Sequence, residues 1–196
     1  MNDTLILFDI ETAGLDMHKH DIIQLAAAAY SILRGEIIDE FEQKLLFDAG
    51  RADKETLDIN GYTPEDWASA VLPRTAAMKF SDWLRPHCAV RRWSDKKQAE
   101  YFVARGCGYN AVRFDQPWLA EMFRRLGLFL PLDIKVLDLL QLAMWKCELE
   151  KIDLPDHKQE TVCRHFGIEY EAHEALADVR AMALLITKLT QAGGEK

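Results

Sequence analysis

The chain has 196 residues, which is enough for a domain with a complete hydrophobic core. Hydrophobic residues make up 49% and charged residues 29% of it, a composition typical of globular proteins that excludes collagen-like and disordered chains. The net charge is −8, so the protein should not hold nucleic acid by phosphate neutralisation alone. Any nucleic-acid substrate would have to be short, single-stranded or gripped at its end, with cations supplied from solution.

The sequence also predicts where the protein works. No stretch approaches 18 uncharged residues and no secretion signal is evident, so we expect no membrane association. The four cysteines lack paired CxxC spacing, which favours free thiols in a reducing cytoplasm over zinc or disulfides. We therefore predict one cytoplasmic domain over residues 1–196.

The N-terminal part of the chain has the pattern of β-strands. Strands are predicted over residues 4–10, 22–32 and 36–47, with Gly35 at the second turn, although the alanines of the second segment would also suit a helix. A further short strand is predicted near residues 101–108. Such an order predicts an antiparallel N-terminal meander within a mixed sheet.

Helical periodicity begins at about Pro73, where Ala76, Phe80, Trp83 and Leu84 share a face. Pro117 suits the first turn of a helix over residues 115–126. Asp156 with Gln159 fits a capping pattern. Further helices are predicted over 137–147, 156–166 and 174–190. Helices flanking a mixed sheet indicate an α/β fold.

Two acidic residues lie at the end of the first strand, where both faces have a buried pattern. Because side chains alternate along a strand, Asp9 and Glu11 continue the inward row that begins with Leu5 and Leu7. Two like charges about 4 Å apart repel by about 4 kcal/mol at an effective dielectric constant near 20. Such a pair therefore needs protonation or a cation.

Two helices also carry an acid on an apolar stripe: Asp115 before Leu119, and Asp178 before Met182. Each has a structural explanation, because Asp115 could cap its helix or interact with the helix dipole, and Asp178 could pair with Arg180 or another base. If the four acids converge, their hard oxygen ligands favour Mg²⁺ or Mn²⁺, and two such ions are the usual arrangement for cleaving phosphodiesters.

His173 is the candidate general base. It precedes Asp178 by five residues, so it would lean over the site from the loop that enters the last helix. An imidazole that titrates near neutrality can accept a proton from attacking water. The alternative is a surface histidine, our interpretation for most of the other five.

Three segments resemble the motifs of the DnaQ-like, DEDD-type 3′→5′ exonucleases and come in the family's order: FDIETAGL at 8–15, GYNAVRFD at 108–115 and HEALAD at 173–178. The third has the H-x-A-x-x-D form of the histidine-containing (DEDDh) subclass. The second motif is one residue longer than its commonest form and has Tyr109 where many members have histidine, which is closer to the exonuclease I branch. Residues 60–65 resemble the segment between the first two motifs.

The resemblance implies a ribonuclease-H-like fold and the release of nucleoside 5′-monophosphates from 3′ ends by two Mg²⁺ or Mn²⁺ ions. It implies Asp9, Glu11 and Asp178 as direct metal ligands, Asp115 as a ligand through water and His173 as the base. The terminal nucleotide would be held by five residues: Thr12, Ala13, Gly14, Leu15 and Asn110. The substrate stays open between DNA and RNA, as do a homodimer and a polymerase or repair partner.

Two other functions are weighed against the nuclease. One is a catalytically silent nucleic-acid-binding protein on the same fold, although all five candidate residues are present. The other is a dinucleotide-binding protein, because residues 106–111 fit G-x-G-x-x-A, but the preceding apolar run is short.

Aromatic and basic residues outside the motifs lead to two further predictions. A basic cluster around Trp93 is interpreted as a solvated loop that could also stack a single strand; it contains Arg91, Arg92, Lys96 and Lys97. The other tryptophans lie on helical patterns and are predicted to be in the core: Trp67, Trp83, Trp118 and Trp145.

Overall fold

The computed structural model describes residues 3–171 and 174–191. Its centre is a five-stranded mixed sheet in the order β3-β2-β1-β6-β7. The first three strands are β1 (Thr4–Thr12), β2 (Ile22–Ser31) and β3 (Glu36–Lys44), and they form the predicted antiparallel meander. The alanine-rich segment is thus a strand and not a helix.

The remaining strands of the sheet are parallel to β1. They are β6 (Gly106–Gly108), which pairs with β1, and β7 (Leu137–Asp138), which pairs with β6. Because β1 and β6 run in the same direction, their carboxyl ends meet at one edge of the sheet. That edge carries the acidic residues of the first two motifs.

Helices cover both faces of the sheet. They are α1 (Lys54–Ile59), α2 (Pro73–Leu84), α3 (Asp115–Arg125), α4 (Leu139–Glu150), α5 (Gln159–His165) and α6 (Ala175–Thr190). Leu5 and Leu7 of β1 belong to a core cluster with residues of α4, α5 and α6. Ile6 and Phe8 belong to a second cluster with residues of α2 and α3. Burial on both faces, as predicted from the strand pattern, fixes the direction in which Asp9 and Glu11 point.

Several local predictions are wrong. β1 extends to Thr12, and β3 ends at Lys44, after which Leu45 forms an isolated parallel bridge with Val71. The short helix α1 has no counterpart in the prediction. Asp156 does not cap α5: its carboxylate accepts from the Lys158 amide, and the helix begins at Gln159.

The segment around Trp93, predicted as a surface loop over residues 93–97, has Trp93 and Ser94 in a strand and a turn at residues 95–98. It forms a separate two-stranded hairpin of β4 (Val90–Ser94) and β5 (Ala99–Val103), in which the Arg92 guanidinium pairs with Asp133. β5 leads into the amino end of β6, so the hairpin lies at the edge opposite the acidic residues.

The predicted burial of the tryptophans is also only partly correct. Trp67 and Trp118 are buried and Trp83 is partly buried, but Trp145 is 66% exposed. Within the described residues, no helix combines the length and the apolar character needed to cross a membrane.

Candidate active site

Three carboxylates meet at the carboxyl end of β1. Asp9 and Glu11 project from the strand, and Asp178 reaches them from the first turn of α6. One oxygen of each side chain lies within 4.8 Å of the others, a spacing that suits carboxylate ligands shared by a divalent cation. Glu11 and Asp178, which are 167 residues apart in sequence, thus lie together, as the acids on apolar stripes suggested.

Asp115 is the first residue of α3 and belongs to the same cleft without being one of these three ligands. It is only 3% exposed, and its Oδ1 accepts a hydrogen bond from the Ile10 amide at 3.1 Å. Ile10 lies between Asp9 and Glu11, so this bond ties α3 to the strand segment that presents both acids. Asp115 therefore faces the carboxylate cluster from the helix start.

Burial and mutual repulsion favour the protonated forms of these acids. The pKa of Asp9 is raised well above its usual value by burial and then by the charges of Asp115, Asp178 and Glu11. Burial, followed by the charge of Asp178, raises the pKa of Glu11 to about 8. The pKa of Asp115 rises to about 7, mainly through burial, against the lowering effect of its backbone hydrogen bonds. A cluster that resists ionisation in this way is a candidate functional site.

The hard oxygen donors of the cluster fit Mg²⁺ or Mn²⁺. A divalent cation would compensate the repulsion between the carboxylates, and oxygen-only donors select these ions over softer metals. The predicted ion pair between Asp178 and Arg180 is absent, because Arg180 instead makes two 2.7 Å bonds to Glu40. Arg180 is therefore not the partner that explains Asp178.

Two residues that the sequence did not single out contact Asp178. Its Oδ1 accepts from the Tyr170 hydroxyl at 2.9 Å and from the Gln159 side-chain amide at 3.1 Å. Gln159 also donates to the backbone carbonyl of Asp178 at 3.0 Å. Burial raises the pKa of Tyr170, so its hydroxyl keeps the proton that it donates.

Asp138 is another supporting residue that the sequence analysis did not identify. One carboxylate oxygen accepts from the amides of Asn110 and Leu140, at 2.9 and 3.0 Å, and the other accepts from Val112 at 3.2 Å. Asp138 thus caps α4 and fixes the loop of the second motif, where Asn110 has a positive φ of 59°. An acid just before an apolar helix is a capping signal that could have identified it.

These side chains line a cleft of about 580 Å³. Its acidic floor contains Asp9, Glu11, Asp115 and Asp178, and its walls include Asn110, Phe114, Lys158 and Tyr170. His173, the predicted base, lies outside the described residues.

A family model described as Exonuclease (RNase T) matches residues 6–94, a segment that contains Asp9 and Glu11. The matched segment, slightly less than half of the chain, is thus similar to an exonuclease domain. The match agrees with the resemblance to exonucleases stated from the motifs, the first of which lies inside the matched segment.

Known proteins similar to this chain include polymerases and nucleases. DNA polymerase III PolC-type of Oceanobacillus iheyensis is 29% identical over 99% of this chain, and the chain spans 12% of that protein's length. E. coli exonuclease I in complex with a dT13 oligonucleotide matches with a TM-score of 0.72 and 20% identity, over 95% of this chain and 41% of the other. The nuclease domain of 3′hExo bound to rAMP matches with a TM-score of 0.71 and 16% identity, over 96% and 92% of the two chains. The structural matches confirm the predicted ribonuclease-H-like fold.

A second groove of about 400 Å³ adjoins the acidic cluster and is lined by Glu11, Thr12, Leu15, Asn60 and Phe114 among others. The Thr12 hydroxyl donates to the Gly14 carbonyl at 2.8 Å, and the Asn60 side chain donates to the Thr12 carbonyl at 3.0 Å. Leu15 is 78% exposed at the rim of this groove.

Ala13 and Gly14 are enclosed by the protein. Ala13 is buried beside Ile23 and Trp67, its amide donates to the Asp21 carbonyl, and its carbonyl accepts from the Asp53 amide. At Gly14 a Cβ atom would lie 2.3 Å from the His20 ring, so the position requires glycine. The predicted nucleotide-binding segment is therefore a firmly held turn with an exposed leucine.

The glycines of the dinucleotide-binding alternative serve the exonuclease fold. Residues 106–108 form β6, and α3 begins only at Asp115, so no helix opens within the glycine motif as that fingerprint requires. A Cβ atom on Gly108 would lie 2.5 Å from the Cβ of Ala111, which explains why glycine stands there.

Proposed function

We propose that this chain removes nucleoside 5′-monophosphates one at a time from the 3′ ends of single-stranded nucleic acid. The observation that carries the proposal is the placement of Asp9, Glu11 and Asp178 within 4.8 Å of one another, with Asp115 in the same cleft. Because burial and mutual repulsion make the ionised carboxylates unfavourable, bound cations would stabilise their ionised forms at neutral pH.

We assign Asp9, Glu11 and Asp178 as direct ligands of two Mg²⁺ or Mn²⁺ ions and Asp115 as a ligand through water. When bound, the ions would lower the pKa of the attacking water and neutralise the charge that develops on the phosphate. The hydrogen bond from the Ile10 amide holds the Asp115 carboxylate beside the strand that carries Asp9 and Glu11.

The reaction breaks the bond between phosphorus and the 3′ oxygen of the penultimate nucleotide. The water oxygen forms the new bond to phosphorus, the terminal nucleotide leaves as a 5′-monophosphate, and the remaining strand gains a proton on its 3′ hydroxyl. We assign His173 as the base that accepts the proton of the attacking water.

We propose that the terminal nucleotide occupies the groove beside Glu11, where the exposed Leu15 and Phe114 offer apolar surface for a base. Thr12, Ala13 and Gly14 would set the position of this turn, and Asn110 would contact the substrate from the wall of the neighbouring cleft. Among the described residues lining that cleft, Lys158 is the one lysine or arginine, which suits local contact with a strand end better than binding along a duplex.

A degradation assay with end-labelled DNA and RNA, each single- and double-stranded, tests this proposal in buffers that contain Mg²⁺, Mn²⁺ or EDTA. We expect 5′-monophosphate release from single-stranded 3′ ends that stops in EDTA. Asp9→Asn should lower the rate about 1,000-fold, equivalent to about 4 kcal/mol. The control is Asp66→Asn, at an exposed position outside both grooves.

Binding of single strands without any metal-dependent cleavage would contradict the proposal and favour the catalytically silent nucleic-acid-binding protein. Release of monophosphates from 5′ ends would refute the polarity. The polymerase name of the O. iheyensis relative makes a primer terminus with a mismatched 3′ end an informative additional substrate.

A further inference from the structure

Of the three carboxylates proposed as direct metal ligands, Asp178 is the one that comes from a helix, and its side chain accepts hydrogen bonds from outside that helix. The Tyr170 hydroxyl and the Gln159 amide both donate to the same oxygen, Oδ1. Tyr170 lies in the segment between α5 and α6, and Gln159 is the first residue of α5. Two elements outside α6 thus determine how the carboxylate is rotated.

The second bond of Gln159 makes this arrangement more than a side-chain contact. The Gln159 amide donates to the Asp178 backbone carbonyl at 3.0 Å as well as to Oδ1, so it binds both the main chain and the side chain of that residue. A lateral shift of α6 against α5 would break both bonds together. Gln159 therefore couples the position of the helix to the orientation of its ligand.

The chemistry of the donors also suits a metal ligand. Both groups are uncharged, so they restrict the carboxylate without cancelling the negative charge that a cation requires. Glu40 on the neighbouring surface shows the contrast, because the two bonds from Arg180 neutralise it and lower its pKa. Hydrogen bonds that orient a ligand in this way commonly contribute a factor of about 10 to 100 in metal affinity.

We propose that Tyr170 and Gln159 are positioning residues that hold Asp178 in the rotamer needed to bind a divalent cation together with Asp9 and Glu11. This inference rests on the proposed function, since it assumes that the three acids share a metal. Neither residue is assigned contact with the reacting atoms. Their effect should therefore fall on metal binding and not on the rate at saturating metal.

The test measures Mn²⁺ binding directly, by isothermal titration calorimetry and by the electron paramagnetic resonance signal of free Mn²⁺, without substrate. Tyr170→Phe removes one hydroxyl and keeps the ring, and Gln159→Leu removes the amide at similar volume. We expect each change to weaken Mn²⁺ binding about 10-fold or more, and the double variant to weaken it further. At saturating Mn²⁺, nuclease turnover should return to within about twofold of the unmodified chain.

The matched control is Tyr109→Phe, which also removes a hydroxyl bond in the same cleft. That hydroxyl donates to the His157 carbonyl at 2.6 Å and not to a carboxylate, so Mn²⁺ affinity should not change. Thermal unfolding in EDTA establishes that each variant is folded. If Tyr109→Phe weakens Mn²⁺ binding as much as Tyr170→Phe, the effect is one of general packing and the inference fails.

The unmodified chain separates the two levels of the proposal. If it neither binds Mn²⁺ nor cleaves nucleic acid, the proposed function fails. If it does both, and Tyr170→Phe and Gln159→Leu bind Mn²⁺ with unchanged affinity, the positioning role alone is overturned. Loss of turnover that excess Mn²⁺ does not restore would also overturn it, because that result indicates a catalytic contact.

Discussion

Replacing Glu11 by glutamine removes one charge from the acidic cluster and should stabilise the metal-free protein. The carboxylate oxygens lie within 4.8 Å of one another, and at that limiting distance, with an effective dielectric constant near 20, one ionised pair repels by about 3.5 kcal/mol. The pKa of Glu11, raised from 4.5 to about 8, corresponds to a few kcal/mol as well, since each unit is about 1.4 kcal/mol. We therefore expect Glu11→Gln to raise the free energy of unfolding by about 3 kcal/mol in EDTA at pH 8.5.

The pH dependence has a definite sign. A carboxyl whose pKa is higher in the folded than in the unfolded state contributes most stability below the unfolded value and loses it as pH rises through the folded value. The unmodified protein should accordingly lose stability between about pH 4.5 and pH 8 in EDTA, and Glu11→Gln should flatten that slope. At pH 5 the two proteins should differ by less than about 1 kcal/mol.

Urea unfolding followed by circular dichroism at pH 5 and pH 8.5 measures both effects, with the exposed Glu65→Gln as a charge-matched control. Mn²⁺ should reverse the order at pH 8.5, because it stabilises the unmodified cluster and binds the variant weakly. A variant that is less stable than the unmodified chain in EDTA at pH 8.5, or that keeps the same pH slope, would refute the electrostatic reasoning.

Three further changes test other parts of the site. Asn60→Ala leaves the buried Thr12 carbonyl without its 3.0 Å donor and should cost about 1 to 3 kcal/mol in urea unfolding; no loss would mean that the bond is replaced by water. Gly108→Ala places a Cβ atom 2.5 Å from Ala111 and should cost about 1 to 3 kcal/mol, whereas Gly50→Ala, with 3.2 Å to a side-chain oxygen, should cost less. Lys158→Ala should raise KM and lower the salt slope of single-strand binding by about 0.7, and the exposed Lys188→Ala should leave that slope unchanged.

The parts of the fold that could be predicted are those in which the local pattern has one solution. Alternation in β1 places Leu5 and Leu7 on one face and Ile6 and Phe8 on the other, and the structure buries both sets. An acid that continues such a row stands out against it. For that reason Asp9, Glu11, Asp115 and Asp178 could be singled out without any knowledge of their contacts.

Patterns with more than one solution misled the prediction. Helix α4 is apolar on several sides, so its sequence does not define an inward face. The structure buries Leu139, Ala143 and Cys147, which lie four residues apart, and leaves Trp145 exposed. The two adjacent arginines Arg91 and Arg92 break the alternation of apolar and polar residues that would have predicted β4. The strand forms because it pairs with β5, which the local pattern does not show.

The supporting residues of the site are invisible to pattern analysis for a different reason. They are polar residues at helix starts or in a connecting segment, where polar side chains are common and therefore do not stand out: Asp138, Gln159 and Tyr170. Their roles arise from contacts 8 to 28 residues away, such as those to Asp178 and Asn110. Sequence therefore identifies the groups that are costly to bury, while only the three-dimensional arrangement identifies the groups that hold them in place.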